Sequence, residues 1–207
     1  DKLKGYMLET AEDLVDNGYG LKLSTPKNID VTFEAKDEGK TLAWVTSWVG
    51  DDGKAVKWEM TFDTKDVFGG RMNEDDIEGT VAHEMVHAVM SASGINWDES
   101  HNPKWFKEGT AEYLTGGDNR ARNDIARVGL TNVLGLVDTT DISKQATSEF
   151  YSSSYLATKY LDKIVKDKTA SAKDLNEVVV DMKNNSTLEQ AVITVTGDTT
   201  FSLSSFY

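Results

Sequence analysis

The stretch from Asn73 to Val89 constrains the fold of this chain more than any other. Asp75 is a good helix N-cap, and Glu78 three residues later completes a capping-box pattern. Ala82, Met85, Val86 and Val89 then fall at i, i+3, i+4 and i+7, the spacing of one buried helical stripe. A long helix with an apolar face needs other elements to cover it, so the flanking sequence decides the architecture.

Upstream, Leu3 to Asn17 has helical spacing with Gly18 and Gly20 as stop signals. Ile29 to Ala35 alternates like a strand, and Thr41–Val49 and Ala55–Phe62 flank "GDDGK" as a hairpin. Trp44, Trp48 and Trp58 are expected to pack one face of that sheet. Downstream, "NPKWF" opens a second helix, with Asn102 as cap and Pro103 at the first helical position, ending at Gly116-Gly117. From Asp118 the pattern is mostly helical: "FYSSSYLATKYLDKIVKD", "DLNEVVVDMKN", and "STLEQAVITV" with a capping box at Ser186 and Glu189. The expected class is α+β: one domain over 1–207, with a β-rich N-terminal lobe to about 116 and a helical C-terminal lobe from about 117.

The chain has 207 residues and a formal net charge of -13. A nucleic-acid partner, which needs a basic footprint, is therefore not expected. Without cysteine, disulfides, a thiol nucleophile and Cys-ligated zinc are excluded. No stretch approaches the roughly 18 to 20 apolar residues of a membrane-spanning helix. The start "DKLKGY" has no initiator Met and no signal-peptide pattern, and reads as a mature product or an excised piece of a longer chain.

Two of the three histidines lie in "HEMVH" on the central helix. His83 and His87, four apart, share a helix face and can converge on one ion. Glu84, displaced around the helix, can reach a water held by that ion, which is why H-E-x-x-H spacing suits a zinc hydrolase. A third ligand is expected from "WFKEGTAEY": Glu108 on the metal, with Glu112 one turn further accepting the ring N–H of a ligand histidine. Gly109 would allow close helix–helix approach. His101 in "SHNPKW" is the alternative third ligand. The acidic run "NEDDIE" could bind calcium, although compensation of the helix dipole explains it without an ion.

"HEMVH" followed by "WFKEGTAEY" resembles the gluzincin branch of zinc metallopeptidases, whose third ligand is a Glu downstream of H-E-x-x-H. Within that branch the chain most resembles flagellinolysin, a family that places a collagenase-like peptidase domain in the outward-facing region of bacterial flagellin. The resemblance implies a zincin-like fold, one catalytic zinc, protein or peptide substrates, and an extracellular place on a flagellar filament. It also implies a Tyr or His that stabilises the oxyanion, for which "FYSSSYLATKYL" offers Tyr151, the favoured candidate, and Tyr155. By analogy, substrate main chain would pair with an edge strand, in or after "KWEMTFDTKDVFGGRM", with Gly69, Gly70 and Arg71 lining it.

The expected function is a zinc endopeptidase with Glu84 as general base. Two rivals stay open: a non-catalytic zinc-binding module displayed for adhesion, and a zinc aminopeptidase.

Overall fold

The computed structural model describes residues 8–22, 27–36, 42–50, 55–68 and 74–207. Gly69, Gly70 and Arg71, and residues 3–7 of the first expected helix, lie outside these. The fold is mixed α+β, mostly helical with a small sheet, and the chain divides into two compact units, Asp1–Ile95 and Asn96–Tyr207. No helix among the described residues is long and apolar enough to cross a membrane.

The first unit contains helix α1 (Leu8–Tyr19), strands β1 (Ile29–Glu34), β2 (Ala43–Val49) and β3 (Ala55–Asp63), the short α2 (Thr64–Phe68), and the long α3 (Glu74–Ala92). The sheet order is β1-β3-β2, with β1 parallel and β2 antiparallel to β3. The expected hairpin is therefore present. β3, however, which carries "KWEMTF", is the central strand, and both its edges are taken by neighbours. An incoming peptide cannot add there; the edges of the described sheet are β1 and β2.

Side chains alternate across a sheet, and directly paired residues share a face. Trp44 pairs with Thr61 and Trp48 with Lys57, whereas Trp58 pairs with Ser47. The three tryptophans therefore do not share one face. Trp44 and Trp48 lie on the outer face beneath the Lys36 and Lys57 ammonium groups, and Trp58 is buried on the inner face with Met60 and Phe62 as strand neighbours of like burial. α3 packs on α1, β2 and β3. Met85, Val86 and Val89 of its expected stripe are buried, and so are Val81, Ala88 and Met90, so α3 is covered on more than one side. α3 begins at Glu74, one residue before the expected cap Asp75.

In the second unit, α4 (Lys104–Thr115), α5 (Asp118–Val128) and α6 (Leu130–Leu134) pack on α8 (Ser148–Lys168). The short α7 (Ile142–Gln145) precedes α8; α9 (Leu175–Met182) and α10 (Leu188–Thr196) pair, and α11 (Leu203–Phe206) follows. Phe150, Leu161, Val165, Leu175, Val178, Met182, Leu188 and Val192 form the buried centre. α4 and α8 approach so closely that a Cβ at Gly109 would overlap the Thr158 hydroxyl and the Ser154 carbonyl, which is the close approach expected of this glycine.

Two expected caps differ. α4 starts at Lys104 with Pro103 in the cap position. Asn102 is buried and bridges instead: its amide donates to the Asn96 carbonyl (2.7 Å), and its carbonyl accepts from the Leu188 N–H (2.7 Å). The capping box of α10 uses Thr187 and Gln190, one residue later than Ser186 and Glu189. Glu189 accepts the Leu203 N–H at the start of α11.

Candidate metal centre

His83 and His87 stand on α3 with their Nε2 atoms 3.1 Å apart and their rings nearly perpendicular, at 87°. Two imidazole nitrogens at that separation need a proton or a cation between them, because facing lone pairs repel. The donor set fits a cation. Two nitrogens each about 2.0–2.1 Å from one tetrahedral ion lie about 3.3 Å apart, close to the observed spacing. The Glu108 carboxylate joins them: one ligand atom from each of His83, His87 and Glu108 lies within 4.8 Å of the others. This is the group of three potential ligands found among the described residues. His87 and Glu108 are 7% and 8% exposed. Burying a carboxylate so fully favours a positive charge beside it.

Glu84, next to His83, is held by β2. Its Oε2 accepts the Val45 N–H at 3.0 Å, and one helical stretch further the Ser91 hydroxyl donates to that of Ser47 (3.2 Å). These two contacts run α3 along β2 and fix the direction of the Glu84 carboxylate.

Glu112 is one turn beyond Glu108 on α4 and almost completely buried. The ion pair seen at its side chain is with Arg120 of α5, Nε to Oε2 at 3.2 Å. Gly116, in the left-handed region at φ 91°, ends α4 and returns its N–H to the Glu112 carbonyl. The reversal through Gly116 and Gly117 brings the first turn of α5, and with it Arg120, back to Glu112. The Arg120 guanidinium also lies over the Tyr151 ring, 5.3 Å from its centre. Tyr151 is half-buried on α8 beside Phe150. Tyr155 is buried: its hydroxyl donates to Asp118 (2.7 Å) and accepts from Lys159 (2.9 Å). His101 contacts the Asn185 carbonyl through Nε2 at 3.1 Å and is not part of the ligand group.

Sequence reasoning named the three residues of the possible metal-binding group, His83, His87 and Glu108. It missed Arg120 and the Val45 amide, because a partner across a helix reversal and a backbone donor from another element leave no local pattern.

A family model described as "Protein of unknown function (DUF1570)" matches residues 77–170, a little under half of the chain. The matched segment runs from the first turn of α3 to the end of α8 and carries His83, Glu84, His87, Glu108, Glu112, Arg120 and Tyr151. No curated protein and no solved structure gives a significant match.

Proposed function

We propose that this chain is a zinc-dependent endopeptidase of zincin-like fold. The observation that carries the reading is the convergence of His83, His87 and Glu108, with Glu84 adjacent and oriented by β2. Two imidazoles and one carboxylate are the three-ligand set that leaves a tetrahedral zinc ion one open position. A bound zinc supplies Lewis acidity, which brings the ionisation of water to about pH 7 and polarises a peptide carbonyl.

The protein's own groups do the rest. Glu84 takes the proton of the attacking water and hands it to the departing amine. Its tether to Val45 limits the rotamers it must lose to do so. Tyr151 offers a hydroxyl to the carbonyl oxygen as charge develops. An extended substrate would add to the edge of β2, the strand that also holds Glu84. Display on a flagellar filament is supported by the resemblance of "HEMVH" and "WFKEGTAEY" alone.

The test is digestion of casein by the purified protein, with and without a chelator, followed by peptide mapping. Internal cuts that stop with chelator and return with zinc are expected. Trimming from the amino end alone would favour the aminopeptidase, and bound zinc without any cleavage would favour the non-catalytic module.

A further inference from the structure

We infer that the unit Asp1–Ile95 holds a second binding site, a cavity behind α3 that takes an uncharged, mainly apolar small molecule carrying a hydrogen-bond acceptor. The site is separate from the candidate metal centre and does not depend on the peptidase reading.

The cavity follows from where small side chains fall. α1 turns Ala11, Val15 and Tyr19 into the core. Glu9 and Glu12 of the same helix stand at an exposed rim instead. α3 presents Ala88 and Ala92 to the space beside them, where larger side chains would close it. A cavity of about 370 Å³ is left. Trp58 of β3 and Met85 and Val89 of α3 line it and are buried, whereas Lys27, Glu9 and Glu12 are exposed at its mouth. An apolar floor below a polar mouth is the usual build of a small-molecule site. A dry cavity of about 150 Å³ binds benzene, so this one has room for about two fused rings. With about 3.6 residues per turn, Met85, Val89 and Ala92 lie on the face of α3 opposite to His83 and His87.

The Trp58 indole is the second observation. Trp58 is 5% exposed, and its Nε1–H has no hydrogen-bond partner among the described residues. A buried indole N–H usually finds an acceptor. Trp58 lines the cavity, so an acceptor on a molecule bound there can make the bond that the protein does not. Charge narrows the choice further. Glu9 and Glu12 repel an anion at the mouth, and the Lys27 ammonium, 5.8 Å from the centre of the Trp58 ring, repels a cation. The buried floor offers no counter-charge, so an ion there would lose its hydration without compensation. A neutral fused-ring ketone meets each of these conditions.

The test is titration of the full chain with 1-indanone and with indane, which has nearly the same shape and no acceptor. Two-dimensional proton–nitrogen NMR reads the affinity and the Trp58 indole resonance, identified by its loss in Trp58→Phe. Saturable binding of 1-indanone is expected, with a downfield move of the Trp58 indole proton that indane does not cause. Trp58→Phe keeps a ring and removes the N–H; it should weaken 1-indanone roughly 10-fold, the worth of one hydrogen bond, and leave indane unchanged. Ala88→Leu, which fills part of the cavity, should weaken both. Tm is measured on each variant, and the indole shift in the parent protein decides the matter even where a variant does not fold. A chelator should change nothing. Binding that vanishes with the chelator puts the probe at the metal centre and overturns the inference. So does 1-indanone affinity untouched by Trp58→Phe, affinity untouched by Ala88→Leu, or a parent protein that does not bind 1-indanone.

Discussion

Replacing Gly109 with alanine should loosen the packing that places Glu108. The added Cβ would meet the Thr158 hydroxyl and the Ser154 backbone carbonyl on α8. A hydroxyl can turn away, but a helix carbonyl cannot, so α4 must move. Overpacking costs about 1–3 kcal/mol, and a clash with backbone belongs at about 3. Alanine returns about 1 kcal/mol through its better helix propensity. The net loss is about 2 kcal/mol. For the unit Asn96–Tyr207, with an unfolding entropy near 2.1 cal/mol/K per residue, that lowers Tm by roughly 8 °C. Differential scanning calorimetry reads the shift, and Gly109→Ala/Thr158→Ala should recover only part of it because the Ser154 carbonyl remains. A Gly109→Ala protein with Tm equal to or above that of the parent would refute the packing argument.

Further outcomes follow from the same structure. Removing a ligand with Glu108→Ala or His87→Ala should weaken zinc binding by more than the 10- to 100-fold typical of outer partners, read by competition with a chromogenic chelator. Asp162 accepts from the Tyr113 hydroxyl (2.8 Å), Lys166 (2.6 Å) and the Leu175 N–H (3.0 Å); Asp162→Ala should cost roughly 2–3 kcal/mol in urea unfolding, because it strands the buried Leu175 N–H and the part-buried Tyr113 hydroxyl. Burial first, and then the hydrogen bond to Asp162, hold the Tyr113 phenol well above its ordinary value, so in an ultraviolet titration one tyrosine should resist ionisation after the exposed ones have titrated. Lys168 and Thr200 hold the Asp198 carboxyl down at about 2 against 3.8 unperturbed. Its stabilising contribution is therefore present above about pH 4 and is lost as pH falls through 2; a midpoint at or above 3.8 by carboxyl-carbon NMR would contradict this.

The elements legible in the sequence were those whose signals are local. α8 and α9 follow from helical patterning, and the β2–β3 hairpin from two β-rich runs about a Gly/Asp turn. The candidate ligand pair His83 and His87 was legible because four-residue spacing on a helix leaves little freedom in direction. What escaped was decided at long range. Ser186 and Thr187 are equally good caps by local chemistry, and a buried Leu188 whose N–H goes to Asn102, 86 positions away, favours the later start. The same bond removes Asn102 from its expected capping role. The tryptophans separate onto two faces only once the pairing of β2 with β3 is known. The central place of β3 depends on the parallel partner β1, which no local pattern announces. Arg120 reaches Glu112 only because the chain reverses at Gly116.

The central claim is that His83, His87 and Glu108 hold one zinc ion on which Glu84 works as base. The most direct measurement is zinc stoichiometry and casein cleavage on the same preparations of the parent protein and Glu84→Gln. One zinc per chain is expected in both, with internal cuts by the parent and none by the variant. A variant that holds its zinc and cuts as fast as the parent, or a parent that binds no zinc at all, would contradict it.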